Sequence, residues 1–171
     1  MPSVRDVQTP LRARYKNDPS TALVVDRAWT AQHDLADPFH AVVTPKGAAS
    51  GQLVAAHAAH GGPHDGPTPG DVLCAALACC HELTVRMVAS AMGLELSALD
   101  VEVEGDVDVR GSLGMAGGAP VGFRAMRVRT RIALRNGGQS EIDQLLRTAQ
   151  SCCVVGQTLR TGVAVEHVVT A

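Results

Sequence analysis

Five cysteines are the residues of this chain best suited to covalent chemistry. Cys74, Cys79 and Cys80 fall in one short stretch, and Cys152 and Cys153 in another. A thiolate is a nucleophile, and its oxidised form can be trapped by a second thiol as a disulfide. Two separate clusters therefore suggest redox chemistry shared between distant parts of the sequence. Their number is odd, and both stretches read as helical. A secreted disulfide framework spreads its cysteines through the loops of a small domain, so this pattern points to reduced thiols, either packed or reactive. Cys80 lies on the apolar face of its helix and Cys153 near the end of the other; packing alone would account for either one. Adjacent residues on a helix point about 100° apart, so each CysCys pair offers one inward and one sideways thiol. Neither pair is a CxxC, and neither closes an unstrained disulfide on itself. A disulfide between 80 and 153 requires a fold that brings their α-carbons within about 7 Å.

Histidines offer two other chemistries. His57, His60 and His64 lie in a Gly- and Pro-rich stretch. With no HxxxH on a helix and no paired CxxC, they match no standard zinc spacing, and no metal site is expected. His81 follows Cys80 directly, which raises a Cys–His hydrolase, but helix neighbours do not face each other.

The elements that must position these residues can be read from periodicity and punctuation. Residues 1–20 form a polar N-terminal extension with a short helix over 11–16. Strands are expected at Thr21–Thr30 and His40–Thr44, separated by an AspPro turn. Residues 47–70 read as a long loop of glycine, proline and histidine. A central helix is predicted from Asp71 to Met92, with Leu73, Leu77, Cys80, Thr84, Met87, Val88 and Ala91 on its apolar stripe and Gly93 at its end. Residues 99–111 alternate apolar and acidic, with a phase change at Gly105 that suggests a bulge. Phe123, Val128 and Ile132 then fall among arginines at 124, 127, 129, 131 and 135. An acidic strand followed by a basic one predicts an antiparallel hairpin with its charges paired on a solvated face. A second helix, capped by Ser140 with Glu141 and Asp143 in its first turn, carries Ile142, Leu145, Leu146 and Ala149 towards Cys152 and Cys153. Thr158–Gly162 ends that region, and Val163–Val169 reads as a last strand. The order predicts an α+β fold, with an antiparallel sheet on a helical layer.

Composition bounds the function. The 171 residues fit one domain, spanning 1–171. Aromatics are scarce, limited to Tyr15, Trp29, Phe39 and Phe123, so small aliphatic side chains must build the core and burial in an oligomer would help. A net charge of −2 and a pI near 6.4 supply no basic excess for nucleic acid. No uninterrupted apolar run reaches the roughly 20 residues of a bilayer span, and the polar N-terminus has no signal-peptide core; no membrane association and a cytoplasmic location are expected.

Two segments then carry a resemblance. PTPGDVLCAALACCHELTVRMVASAMGLEL resembles the central helix of the osmotically inducible and organic hydroperoxide resistance (OsmC/Ohr) family. GDVDVRGSLG followed by PVGFRAMRVR resembles the family's strand pair, and AQSCCVVGQTLRTGVAV its second cysteine helix. The match runs in order over about residues 65–168. Aligned on LTVRMVA, the family's first cysteine falls on Cys80; anchored on Thr158 and Leu159, its second falls on Cys153.

The resemblance implies an OsmC-like α+β homodimer, its subunits intertwined and its antiparallel sheets packed on two central helices. It also implies a thiol-dependent reductase of alkyl or lipid hydroperoxides. Cys80 would attack the peroxide, and Cys153 would resolve the product as a disulfide. An external dithiol, a lipoylated protein in the best-known branch, would regenerate the enzyme with no bound cofactor. Three positions depart from the family pattern. Gly70, with Asp71 beside it, stands where hydroperoxidases often carry Glu; Val154 replaces a proline; and the activating arginine has only Arg27 as a candidate. The alternative is a non-enzymatic OsmC-like protein that binds a small apolar ligand at the dimer interface.

Overall fold

The computed structural model describes residues 3–31 and 34–169. They form helix α1 (Val4–Asn17), strands β1 (Ala28–Thr30), β2 (His40–Pro45) and β3 (Gln52–Ala55), and the long helix α2 (Pro69–Met92). Strand β4 (Leu96–Val107), the single turn α3 (Val109–Ser112), strand β5 (Phe123–Leu134), and helices α4 (Gln139–Cys152) and α5 (Val154–Thr161) follow. The α+β expectation holds. The chain divides into two compact units. One comprises residues 1–9, 76–103 and 128–171; the other comprises 10–75 and 104–127.

In the second unit, β1, β2 and β3 form an antiparallel sheet in that order, with Trp29 opposite Thr44 and Ala41 opposite Val54. The expected strand Thr21–Thr30 shrinks to its last three residues. Asp18 caps a 3₁₀ turn over Pro19–Ala22, and Leu23, Val24 and Val25 that follow are exposed and belong to no strand. The long loop instead contains β3 and a 3₁₀ turn at Ala58–His60. At Gly105 of β4, a Cβ would collide with the ring of Phe123. The interruption in the alternating pattern thus marks the place where an aromatic ring lies against bare backbone.

In the first unit the core is Val85 and Ala89 of α2 against Leu145 and Ala149 of α4, with Leu96 and Leu99 of β4 and Ile132 and Leu134 of β5 packed around them. By length and composition α2 is apolar enough to cross a membrane, which the absence of one unbroken apolar run had not suggested. Only Val85 and Ala89 of it belong to this buried core, and 28% of its apolar window is buried. Its buried positions are Leu77, His81, Thr84, Val85 and Ala89; Met87 of the predicted stripe is exposed. Helix α2 ends at Gly93, whose φ of 73° is the left-handed cap the sequence predicted.

Strands β4 and β5 form a two-stranded sheet, and the predicted pairing of charges is present. Arg131 binds Asp100 at 2.6 Å, Arg129 approaches Glu102 at 3.6 Å and Arg127 approaches Glu104 at 3.3 Å. The partners run in opposite directions along the two strands, as an antiparallel ladder requires. All are exposed, so each contributes little to stability and their role is to hold register.

The C-terminal third differs most from expectation. The N-cap of α4 is Gly138 rather than Ser140, two residues earlier, with the Glu141 carboxylate accepting the Gly138 N–H at 2.9 Å. The helix breaks at Cys153, which has extended dihedrals (φ −72°, ψ 105°), and restarts as α5. Val163–Val169, predicted as a strand, has no strand partner among the described residues. It lies exposed, because an alternating pattern needs a neighbouring strand before it becomes a sheet.

Candidate functional site

The two CysCys pairs behave as helix geometry demands. Cys79 and Cys152 are exposed, Cys80 is half-buried and Cys153 is buried. Cys80 projects from the middle of α2, where the Thr84 hydroxyl donates to its carbonyl at 2.7 Å. Cys153 sits in the break between α4 and α5. There its Sγ caps the new helix by accepting the Gly156 N–H at 3.4 Å. The break turns Cys153 inwards, and its thiol donates to Cys80 Sγ across 3.4 Å. A disulfide bond is about 2.05 Å long, so closing this pair needs about 1.4 Å of motion. Burial pushes the Cys153 thiol up, and the Gly156 hydrogen bond only partly offsets this. Cys153 therefore holds its proton at neutral pH and serves as the donor in the pair.

A cavity of about 240 Å³ opens on this region. Helix α2 contributes Leu77 and His81, β5 contributes Val128 and α4 contributes Gln150. One face of α5 and its cap contributes Cys153, Gly156 and Arg160. His81 is buried, bonds Thr130 Oγ1 through Nε2 at 3.2 Å, and has its pKa lowered by desolvation. At pH 7 it is a neutral imidazole and brings no positive charge. Arg160 is the cation of the cavity wall. Sequence periodicity missed Arg160 and Gly156 because Val154, Val155 and Gly156 are poor helix formers and a cysteine is an unusual N-cap. The one available signal was the spacing Cys153, Gly156, Arg160, which repeats at i, i+3, i+7.

The other candidates have different surroundings. Arg27 is exposed on the segment entering β1, and its carbonyl accepts the Lys46 N–H at 2.8 Å. Asp71 stands nine residues, two and a half helical turns, before Cys80 on α2. Its carboxylate accepts the Thr68 N–H and hydroxyl, each at 2.8 Å, while Thr68 Oγ1 accepts the Asp71 N–H at 3.1 Å. This reciprocal cap closes the N-terminus of α2, with Gly70 beside it. His57 and His64 stack with ring centroids 4.3 Å apart; His57 Nδ1 accepts the Ala59 N–H, and His60 pairs with Ser112. Among the described residues no group of three or more His, Cys, Asp or Glu side chains is arranged to hold a metal ion.

The cap makes α2 sensitive to acid. Hydrogen bonds from the Thr68 backbone and then its hydroxyl hold the Asp71 carboxyl below its ordinary value. A depressed folded-state pKa contributes stability that is present above about pH 4, the unfolded value, and is lost as pH falls through the folded value. Asp71→Ala is therefore expected to cost about 1 kcal/mol at pH 7. The gap from the parent protein should narrow at pH 3, as read from urea unfolding at both pH values.

Comparison with known proteins follows the same regions. The sequence model of the family described as OsmC-like protein matches residues 62–168. Among solved structures, an OsmC-like protein from Mycoplasma pneumoniae superposes with a TM-score of 0.64 at 17% identity, covering 81% of this chain and 89% of that one. An organic hydroperoxide resistance protein from Legionella pneumophila gives 0.61 at 18% identity, covering 81% and 91%. One from Bacillus subtilis gives 0.54 at 15% identity, covering 81% and 93%. At these identities the likeness is one of fold. No curated protein matches the sequence.

Proposed function

The chain belongs to the OsmC-like protein family, and on that premise we propose that it is a thiol-dependent reductase of organic hydroperoxides, with Cys80 as attacker and Cys153 as resolver. The observation that carries this reading is the single S–H···S contact of 3.4 Å between a half-buried thiol and a buried one, from segments 73 residues apart. It pairs the two cysteines that a peroxide cycle needs and leaves Cys79 and Cys152 outside it.

The Cys80 thiolate attacks the distal oxygen of ROOH. The O–O bond breaks, RO⁻ takes a proton to leave as ROH, and Cys80 becomes a sulfenic acid. Cys153 then attacks the Cys80 sulfur, its proton leaves with the hydroxyl as water, and the disulfide forms. A dithiol from outside returns both cysteines to thiols by exchange. Asp71 is engaged in the helix cap and His81 is neutral; the contact the attacking sulfur makes is with the Cys153 donor.

Self-association belongs to the same reading. Leu23, Val24 and Val25 are 82%, 81% and 65% exposed, and Val163, Val165, Val168 and Val169 are 65%, 73%, 74% and 92% exposed. These extended apolar stretches suit strand exchange between two copies; a monomeric mass in solution would contradict it.

The test is stoichiometric cumene hydroperoxide followed by peptide mass spectrometry, with turnover measured under excess dithiol. A Cys80–Cys153 crosslink with sustained turnover is expected. Unoxidised cysteines would favour ligand binding in the cavity, and a crosslink through Cys79 or Cys152 would overturn the residue assignment.

A further inference from the structure

An oxidised Cys80–Cys153 pair offers an incoming thiol two sulfurs, and their surroundings differ. The 240 Å³ cavity is walled by Cys153 and not by Cys80. No carboxylate lines it, and among the described residues no hydrogen bond or ion pair engages the Arg160 guanidinium. A Cβ at Gly156 would stand 3.2 Å from Cys153 Sγ and 3.6 Å from Leu77 Cδ1, so glycine there keeps the space beside the sulfur open. Resting on the peroxidase reading, we propose that the regenerating dithiol enters this cavity and attacks Cys153 rather than Cys80, with Arg160 drawing in its thiolate.

One thiol of the reductant gives its proton to solvent, and its sulfur bonds to Cys153 Sγ. The Sγ–Sγ bond breaks, and the electron pair leaves on Cys80 as the thiolate required for the next peroxide. The second thiol then attacks the reductant's own sulfur and closes the reductant's disulfide. Cys153 leaves with the electron pair and takes up the proton the second thiol gives up. Two electrons pass from dithiol to protein. The order matters because burial pushes the Cys153 thiol up, which makes it a poor leaving group. Attack on Cys153 defers its departure to the second step, which is intramolecular and so tolerates a poorer leaving group.

The same geometry selects the reductant. Cys153 is only 2% exposed and meets the cavity at one wall, so access to it there suits a slender, unbranched thiol; the half-buried Cys80 is not among the cavity's walls. A negative charge near the incoming thiol is favoured by Arg160.

The experiment starts from the full chain oxidised with diamide, which forms the disulfide without relying on peroxide. The oxidised protein is mixed briefly with the monothiol 3-mercaptopropionate, quenched in acid, alkylated with N-ethylmaleimide and mapped by peptide mass spectrometry. The expected product carries mercaptopropionate on Cys153 and maleimide on Cys80. The reverse placement, or equal labelling of both, overturns the proposal. Arg160→Gln is expected to slow reduction by 3-mercaptopropionate about tenfold and by 2-mercaptoethanol less; no slowing, or equal slowing, removes Arg160 from it. If diamide forms no Cys80–Cys153 crosslink, the proposal and the peroxidase reading fail together. A mercaptopropionate adduct on Cys153 in a protein inert to hydroperoxides sinks the peroxidase reading alone.

Discussion

Cys80→Ser is expected to lower dithiol-dependent consumption of cumene hydroperoxide by about three orders of magnitude or more, because the variant loses the nucleophile itself. A serine hydroxyl is not ionised near neutrality and does not reduce a peroxide bond. Cys79 will not substitute for it, although it is adjacent and more exposed. One residue on a helix is a rotation of about 100°, and the Cys153 donor meets the Cys80 sulfur. Cys153→Ser should fail differently. The first equivalent of hydroperoxide is still reduced, so a burst of ROH equal to the enzyme concentration appears, and turnover then stalls. With no resolving thiol, Cys80 stays as a sulfenic acid open to further oxidation, and mass spectrometry should find it as the sulfinic acid at excess peroxide. Full turnover in Cys80→Ser would remove the assignment, as would an absence of burst in Cys153→Ser.

Leu145→Ala is expected to carry the largest cost in stability, about 3 kcal/mol, as a lower urea midpoint with an unchanged slope. Leu145 is the largest fully buried side chain and packs with Val85, Ala89 and Ala149, each at most 1% exposed. Two of its three core neighbours are small, so truncation leaves a void that alanines cannot refill. Folding free energies are usually about 5–15 kcal/mol, so the loss is a large share of the total. A cost below about 1 kcal/mol would mean that this core relaxes around the missing atoms. Activity should fall by less than stability, since α4 still ends at the break that presents Cys153.

Much of the path to this site was legible in the chain. The stripe on α2, the Gly93 cap, the opposed charges of β4 and β5 and the apolar positions Leu145 and Ala149 are local or nearest-neighbour properties, which composition and periodicity report directly. Val163–Val169 and residues 21–27 failed as strands because strand formation depends on a partner, and alternation alone does not name one. Helix α5 was missed for the opposite reason. Its β-branched and glycine start argues against a helix, and the fold overrides that preference by capping it with a buried cysteine. Asp71, beside the Gly70 that stands at the family's usual Glu position, was with Arg27 a candidate for substrate binding or activation; its carboxylate is engaged by Thr68 at the start of α2.

By itself, the sequence determined which family supplies the frame, and it named the candidate thiols: one on a long apolar helix and another at the end of a second. Periodicity alone could not choose between neighbouring cysteines, since each pair differs by only one residue and a rotation; the resemblance placed the family's two cysteines on Cys80 and Cys153. Tertiary structure decided which sulfurs meet: the break at Cys153 ends one helix and caps the next, turning this sulfur onto Cys80 while Cys152 remains in solvent. The cavity and Arg160 were likewise decided only by packing, because their residues come from four separate elements.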